Sequence, residues 1–121
     1  MSSFLERLNR GPVLCDGAMG TLLYANGVFI NRCYDELNVS QPEMVGTIHA
    51  EYAKAGAEVL ETNTFGANHY RLLRHGFETR VREINRAGVQ LARAAAGNDI
   101  LVAGSVGPLG LRIEPLGKIA R

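Results

Sequence analysis

Residues 57–65, AEVLETNTF, decide how this chain is read. Val59 and Leu60 with the β-branched Thr62 and Thr64 have the content of a strand, and the run ends in polar residues. Helical patterns flank it on both sides. Upstream, residues 40–56 carry Met44, Val45, Ile48 and Tyr52 at helical spacing. Ser40 with Glu43 is read there as a capping box, Pro42 as first-turn proline and Gly56 as a C-cap. Downstream, residues 67–75 suggest a short helix and residues 79–96 a long one, with Val81, Ile84, Gly88, Leu91 and Ala95 at steps of three and four.

Two further apolar runs lie beyond those helices. Near the start, PVLCDGAMGT holds a short strand over residues 13–15, read as buried, that runs into Asp16-Gly17. It follows a short amphipathic stretch, residues 3–9, which Gly11 and Pro12 stop. Near the end, ILVAGSV (100–106) reads as a third strand before GPLG. The order strand, helix, strand, helix, strand predicts βαβ units and a parallel sheet, an α/β fold. All three strands end in polar or glycine-rich segments: Asp16-Gly17, Glu61 to Thr64, and Gly104 to Gly107. Ligands of α/β sheets and barrels bind at the C-terminal ends of strands, so these ends form the expected site.

Composition narrows the function classes. The 121 residues are 46% hydrophobic and 21% charged, within the range of one globular domain. A net charge of +1, from 13 basic and 12 acidic residues, gives no footprint for nucleic acid. No apolar run approaches the roughly 18 residues of a membrane span. The N-terminal stretch lacks the apolar region of a secretory signal, and Cys15 and Cys33 show no CxxC pattern; a reduced, cytoplasmic setting is expected.

The individual motifs leave alternatives open. DGAMGT matches neither GxGxxG nor a P-loop. Taken alone, it is either a tight turn in which glycine supplies positive φ, or an opening in which an acid meets a ligand amine. In ETNTF, alternation sends Glu61 and Asn63 one way and Thr62 and Thr64 the other; these groups serve either a ligand or the loop backbone. His49, His69 and His75 lack metal spacing and are read as surface or capping residues. Cys15 is read as a small core residue. Cys33 is open to exposure, and nothing marks it as reactive. The arginines of residues 71–93 are read as solvated helix faces.

Together, LCDGAMGTLL, CYDELNVSQPEMVGTIHAEYAKAGAEVLETNTFGAN and GSVGPLG resemble the start of the homocysteine S-methyltransferase domain. The resemblance runs from about residue 4 to 117 and is nearest to the type fused to methylenetetrahydrofolate reductase. It implies the N-terminal portion, about three βα units, of a (β/α)₈ TIM barrel. It also implies methyl transfer to homocysteine from a donor such as methylcobalamin, betaine or S-methylmethionine. Family members hold the substrate thiol as a thiolate on zinc, which lowers the thiol pKa. By resemblance, Asp16 lies near the homocysteine amine, with Gly17 beside it, Asn63 and Thr64 at the second strand end, and Ser105 and Gly107 at the third. The family's zinc cysteines and second amine-binding acid match no position here. The chain is therefore expected to be incomplete at its C-terminus and inactive alone, with the remainder of the barrel as an expected partner. The alternatives are a stand-alone amino-acid-binding module and a non-catalytic piece that assembles with a separately encoded remainder.

Overall fold

The computed structural model describes residues 2–120. Six α-helices and two short strands follow in the order α1 (Phe4–Arg10), α2 (Met19–Ala25), α3 (Leu37–Ser40), α4 (Pro42–Lys54), β1 (Val59–Glu61), α5 (His69–Leu73), α6 (Val81–Ala96) and β2 (Leu101–Ala103). A 3₁₀ turn, Glu78–Arg80, leads into α6.

The two strands pair in parallel, with Val59 opposite Leu101, Leu60 opposite Val102 and Glu61 opposite Ala103. The helix α6 makes the crossover that parallel strands require. The expected first strand shrinks to one parallel bridge between Cys15 and Val59. Its backbone still follows the ladder: Glu58 N–H and Val59 N–H donate to Leu14 O, and Asp16 N–H donates to Val59 O. Three aligned parallel segments thus lie with β1 in the middle, as the βαβ order predicts. The first is not buried, however: Leu14 and Cys15 face opposite sides and both are exposed, because among the described residues this segment lies at the edge, beside β1 only.

Core packing lies on the helical side. Leu23, Val28, Leu37, Val45 and Ile48 form one cluster, Cys33, Ala67, Leu72 and Ile84 a second, and Ala57, Leu60 and Ala96 a third. Each fully buried Leu or Ile contributes about 1.5–3 kcal/mol through apolar area removed from water. The buried stripe of α6 is Ile84, Gly88, Ala92 and Ala96, one residue every turn. Its small residues let the helix approach the strand ends closely.

Local signals were partly misassigned by the sequence. Ser40 does not cap α4: it is the last residue of α3, and its hydroxyl donates to Glu36 Oε2 at 2.8 Å. Gln41 is the N-cap residue, and Pro42 opens α4 as expected. A capping box forms instead on α1, where Ser3 Oγ accepts from Glu6 N–H and Glu6 Oε2 accepts from Ser3 N–H. Helices α2 and α3 are absent from the sequence reading. His49 is fully buried rather than at the surface, and neither ring nitrogen has a partner. Burial alone holds its pKa below the usual histidine value.

Candidate functional site

An open cleft of about 720 Å³ lies where the three parallel segments end. Its lining comes from the 16–21 turn, the 32–35 turn, the 61–66 run, Arg71, Arg74, His75 and Ser105. Of the six expected site residues, Asp16, Gly17, Asn63, Thr64 and Ser105 line it, and Gly107 does not.

Asp16 follows the first parallel segment directly. Its Oδ2 accepts from Glu61 N–H at 3.0 Å, so the carboxylate extends the ladder beyond the backbone pairing. Burial pushes its pKa above the ordinary carboxylate value, and the nearby Glu61 carboxylate adds to the rise; the bond from Glu61 N–H opposes it. The site therefore holds two carboxylates close together at the ends of adjacent strands. A ligand cation beside them would relieve that repulsion.

Gly17 has a structural reason of its own. A Cβ there would lie 2.9 Å from the Tyr52 hydroxyl, which donates to Ala18 O at 3.0 Å. Gly17 and Gly20 do not have positive φ, so close approach by Tyr52 and Tyr34, rather than turn conformation, calls for glycine in DGAMGT.

The threonines of ETNTF close a ring with Ser105. Thr64 Oγ1 donates to Ser105 O at 2.8 Å, and Ser105 N–H donates to Thr62 Oγ1 at 3.0 Å. The two hydroxyls are 2.6 Å apart. A carbonyl only accepts, so the Thr64 proton is committed to Ser105 and Thr62 must donate to Thr64. This ring continues the β1–β2 pairing after the backbone ladder ends. It fixes Ser105, whose own hydroxyl has no partner among the described residues, at the edge of the cleft.

Asn63 turns to the opposite side, as strand alternation predicts. Its Nδ2 donates to Tyr34 O at 2.8 Å and to Asn38 Oδ1 at 3.0 Å. Asn38 Nδ2 returns bonds to Asn63 O at 2.7 Å and Ile84 O at 3.3 Å. Gly88 makes this arrangement fit: a Cβ there would fall 2.6 Å from Thr64 Cγ2 and 2.7 Å from Asn38 Nδ2. The side-chain protons of Asn63 and Thr64 are thus committed within the chain. Gly107 likewise serves packing, since a Cβ there would meet Phe65 O at 2.2 Å.

Other lining residues were missed. Asp35 Oδ1 accepts from Gly66 N–H at 2.9 Å and pins the 61–66 run to the 32–35 turn. Burial raises its pKa, the bond from Gly66 N–H works against this, and Arg71 and His75 lower it by charge. Cys33 is buried at the cleft wall, and burial pushes its thiol pKa up, which makes it a poor nucleophile. Arg71, Arg74 and Arg32 line the cleft rather than a solvated helix face alone. Arg71 and Arg74, three positions apart, share one helix face, and only the chain path brings that face and Arg32 to the cleft.

Among the described residues, no group of three or more His, Cys, Asp or Glu converges to hold a metal ion. Both cysteines are free, Cys15 exposed and Cys33 buried. No helix among them is long and apolar enough to cross a membrane.

The fold agrees with comparisons to known proteins. Residues 13–117 match the family model described as homocysteine S-methyltransferase. The chain belongs to that family. It is 34% identical to methionine synthase of Mycobacterium tuberculosis and 33% identical to that of Mycobacterium leprae, in each case across 96% of this chain. Two crystal structures of the homocysteine methyltransferase MmuM from Escherichia coli are similar in fold. The metallated form has a TM-score of 0.74 at 30% identity over 87% of this chain. The oxidized form has a TM-score of 0.74 at 32% identity over 90%. The chain spans 11% and 10% of the two methionine synthases, and 41% and 42% of the two MmuM chains.

Proposed function

We propose that the cleft binds homocysteine, and that the chain forms the N-terminal portion of a (β/α)₈ barrel that transfers a methyl group to the homocysteine thiol. One observation carries this: in a member of that family, Asp16 stands at the end of its parallel segment, tied to Glu61 N–H, with the Glu61 carboxylate close enough to raise its pKa. Such a pair suits an ammonium group. Asp16 would accept from the substrate amine, Gly17 would border the ligand, and Ser105 Oγ is free to donate or accept. Asn63 and Thr64 would act indirectly, by holding the wall and Ser105 in place.

Zinc would activate the thiol for attack on the methyl donor at neutral pH. The described residues do not form such a metal site, so this chain's part is to bind and orient the amino-acid end of the substrate. Free cysteines and the balanced charge fit a cytoplasmic setting.

Titration calorimetry of homocysteine with the 121-residue chain and its Asp16→Asn variant tests the reading. Asparagine keeps an acceptor for Glu61 N–H but loses the charge. A charge-assisted hydrogen bond is worth about 1.5–3 kcal/mol, so Kd should rise by roughly tenfold to a hundredfold. Binding should also weaken in acid, as Asp16, its pKa raised by burial, takes up its proton. No saturable binding by the unaltered chain, or equal binding by the variant, would sink the proposal.

A second reading, assembly with a separate remainder of the barrel, draws on the uncovered apolar surface. Val106, just beyond β2, is 92% exposed, and Leu14 lies exposed in the segment beside β1. Co-purification with a chain that carries the remaining strands would support it.

A further inference from the structure

Two guanidinium groups converge at the mouth of the cleft, and neither makes an ion pair among the described residues. Arg71 lies in α5 and Arg74 is its C-cap residue, three positions on, so both project from one face. The loop after β2 brings Gly110 up to them. A Cβ placed on Gly110 would lie 3.3 Å from Arg74 Nη2 and 3.7 Å from Arg71 Nη1, so both nitrogens crowd one point. Arg80 pairs with Glu36 and Glu83, whereas Arg71 and Arg74 make no ion pair among the described residues. Asp35 is the nearby acid: its Oδ1 accepts from Gly66 N–H, and its carboxylate interacts with Arg71 by charge without forming an ion pair. Arg32 lines the same cleft and adds positive charge rather than cancels it.

Two like charges held side by side repel unless an anion sits between them. Guanidinium groups present flat, multiple N–H donors that match the paired oxygens of carboxylate and phosphate. We propose that Arg71 and Arg74 form a fork, at the mouth of the cleft, that takes the carboxylate or phosphate of a ligand. Asp16 and Glu61 then make the cationic-group end of the cleft and the fork its anionic-group end. The fork stands on the placement of these arginines and does not require the methyltransferase reading.

Side-chain Nε–Hε NMR of the full 121-residue chain tests this, with inorganic phosphate and glutarate titrated separately at constant ionic strength. The Arg71 and Arg74 signals should shift saturably with at least one of the two. The Arg71→Gln/Arg74→Gln variant should bind that anion about tenfold more weakly, and Arg86→Gln, on exposed α6 surface, should match the unaltered chain. Arg74 is exposed, so Arg74→Gln alone provides a variant that leaves packing intact. A parallel titration with homocysteine and with 3-aminopropanethiol, which lacks the carboxylate, separates the sources. Loss confined to homocysteine in the double variant assigns the fork to the substrate's own carboxylate. Unchanged homocysteine binding with weakened phosphate or glutarate assigns it to a second ligand. The proposal is overturned if neither anion produces saturable shifts, or if the double variant binds them as the unaltered chain does. Failure of homocysteine to bind the unaltered chain would count against the proposed function and leave the fork to be judged on the two anions.

Discussion

Two groups of polar residues meet at the cleft, and they differ in how their hydrogen-bonding capacity is used. Asn38, Asn63, Thr62 and Thr64 are buried, and every side-chain N–H or O–H among them has an acceptor within the chain. Asp16, Arg71 and Arg74 line the cleft and make no ion pair among the described residues. Satisfied buried groups specify a structure, because leaving one of them unpaired is costly. Groups left with spare capacity at an open surface are where a ligand gains binding energy. The first set therefore builds the site and the second set uses it.

The strongest way to break this comparison is to remove Asn38. Asn38→Leu deletes two donated bonds and one accepted bond, and leaves Asn63 Nδ2, Asn63 O and Ile84 O short of partners. Destabilisation of about 3 kcal/mol is expected in urea unfolding. A change below ~1 kcal/mol would mean that the asparagine pair does not hold the wall.

Gly88→Ala is a sharper test, because two effects oppose each other. Alanine favours a helix interior by about 1 kcal/mol over glycine. Yet its Cβ would press on Thr64 Cγ2 and Asn38 Nδ2. Overpacking should win, with a net loss of about 1–3 kcal/mol by thermal or urea unfolding. Net stabilisation would show that α6 does not sit tightly on the strand ends.

His49 supplies a contrast of opposite sign, as a buried polar group with no partner. His49→Leu should stabilise the chain by about 1–2 kcal/mol. The sign of the pH effect follows from its depressed folded pKa. The unfolded chain takes up a proton below about pH 6.5 while the folded chain resists, so stability falls as pH drops through that value. Asp16 and Asp35, with raised folded pKa values, act in the opposite direction in the carboxylate range. Comparing the variant with the unaltered chain between pH 7 and 5.5 removes their part. Equal slopes would mean that His49 has a partner or water access.

The smallest effect is expected for the stability of Asp16→Asn. It should unfold within about 0.5 kcal/mol of the unaltered chain, since the acceptor for Glu61 N–H remains and a crowded charge is removed. A large loss of stability would move Asp16 from the ligand-facing set to the structural one.

The sequence made part of this legible. Alternating helical and apolar segments foretold the parallel order, and the polar ends of the segments foretold where the cleft lies. Asp16 was visible because it follows its segment directly. Cys15 and Cys33 came out in the reverse order of burial, because a short apolar run does not say which of its sides will be covered. Ser40 matched a capping pattern but belongs to the helix before, where Glu36 is within reach.

Sequence by itself determined the order of elements, the parallel pairing and the strand-end position of Asp16, since these follow from local periodicity and from residues adjacent in the chain. Tertiary structure alone decided that Asn63 and Thr64 spend their protons internally, that Gly88 and Gly107 are close contacts, and that the face carrying Arg71 and Arg74 meets Gly110. Those outcomes depend on distances between segments tens of residues apart. Such distances are set by helix packing on the sheet, and no local pattern encodes them.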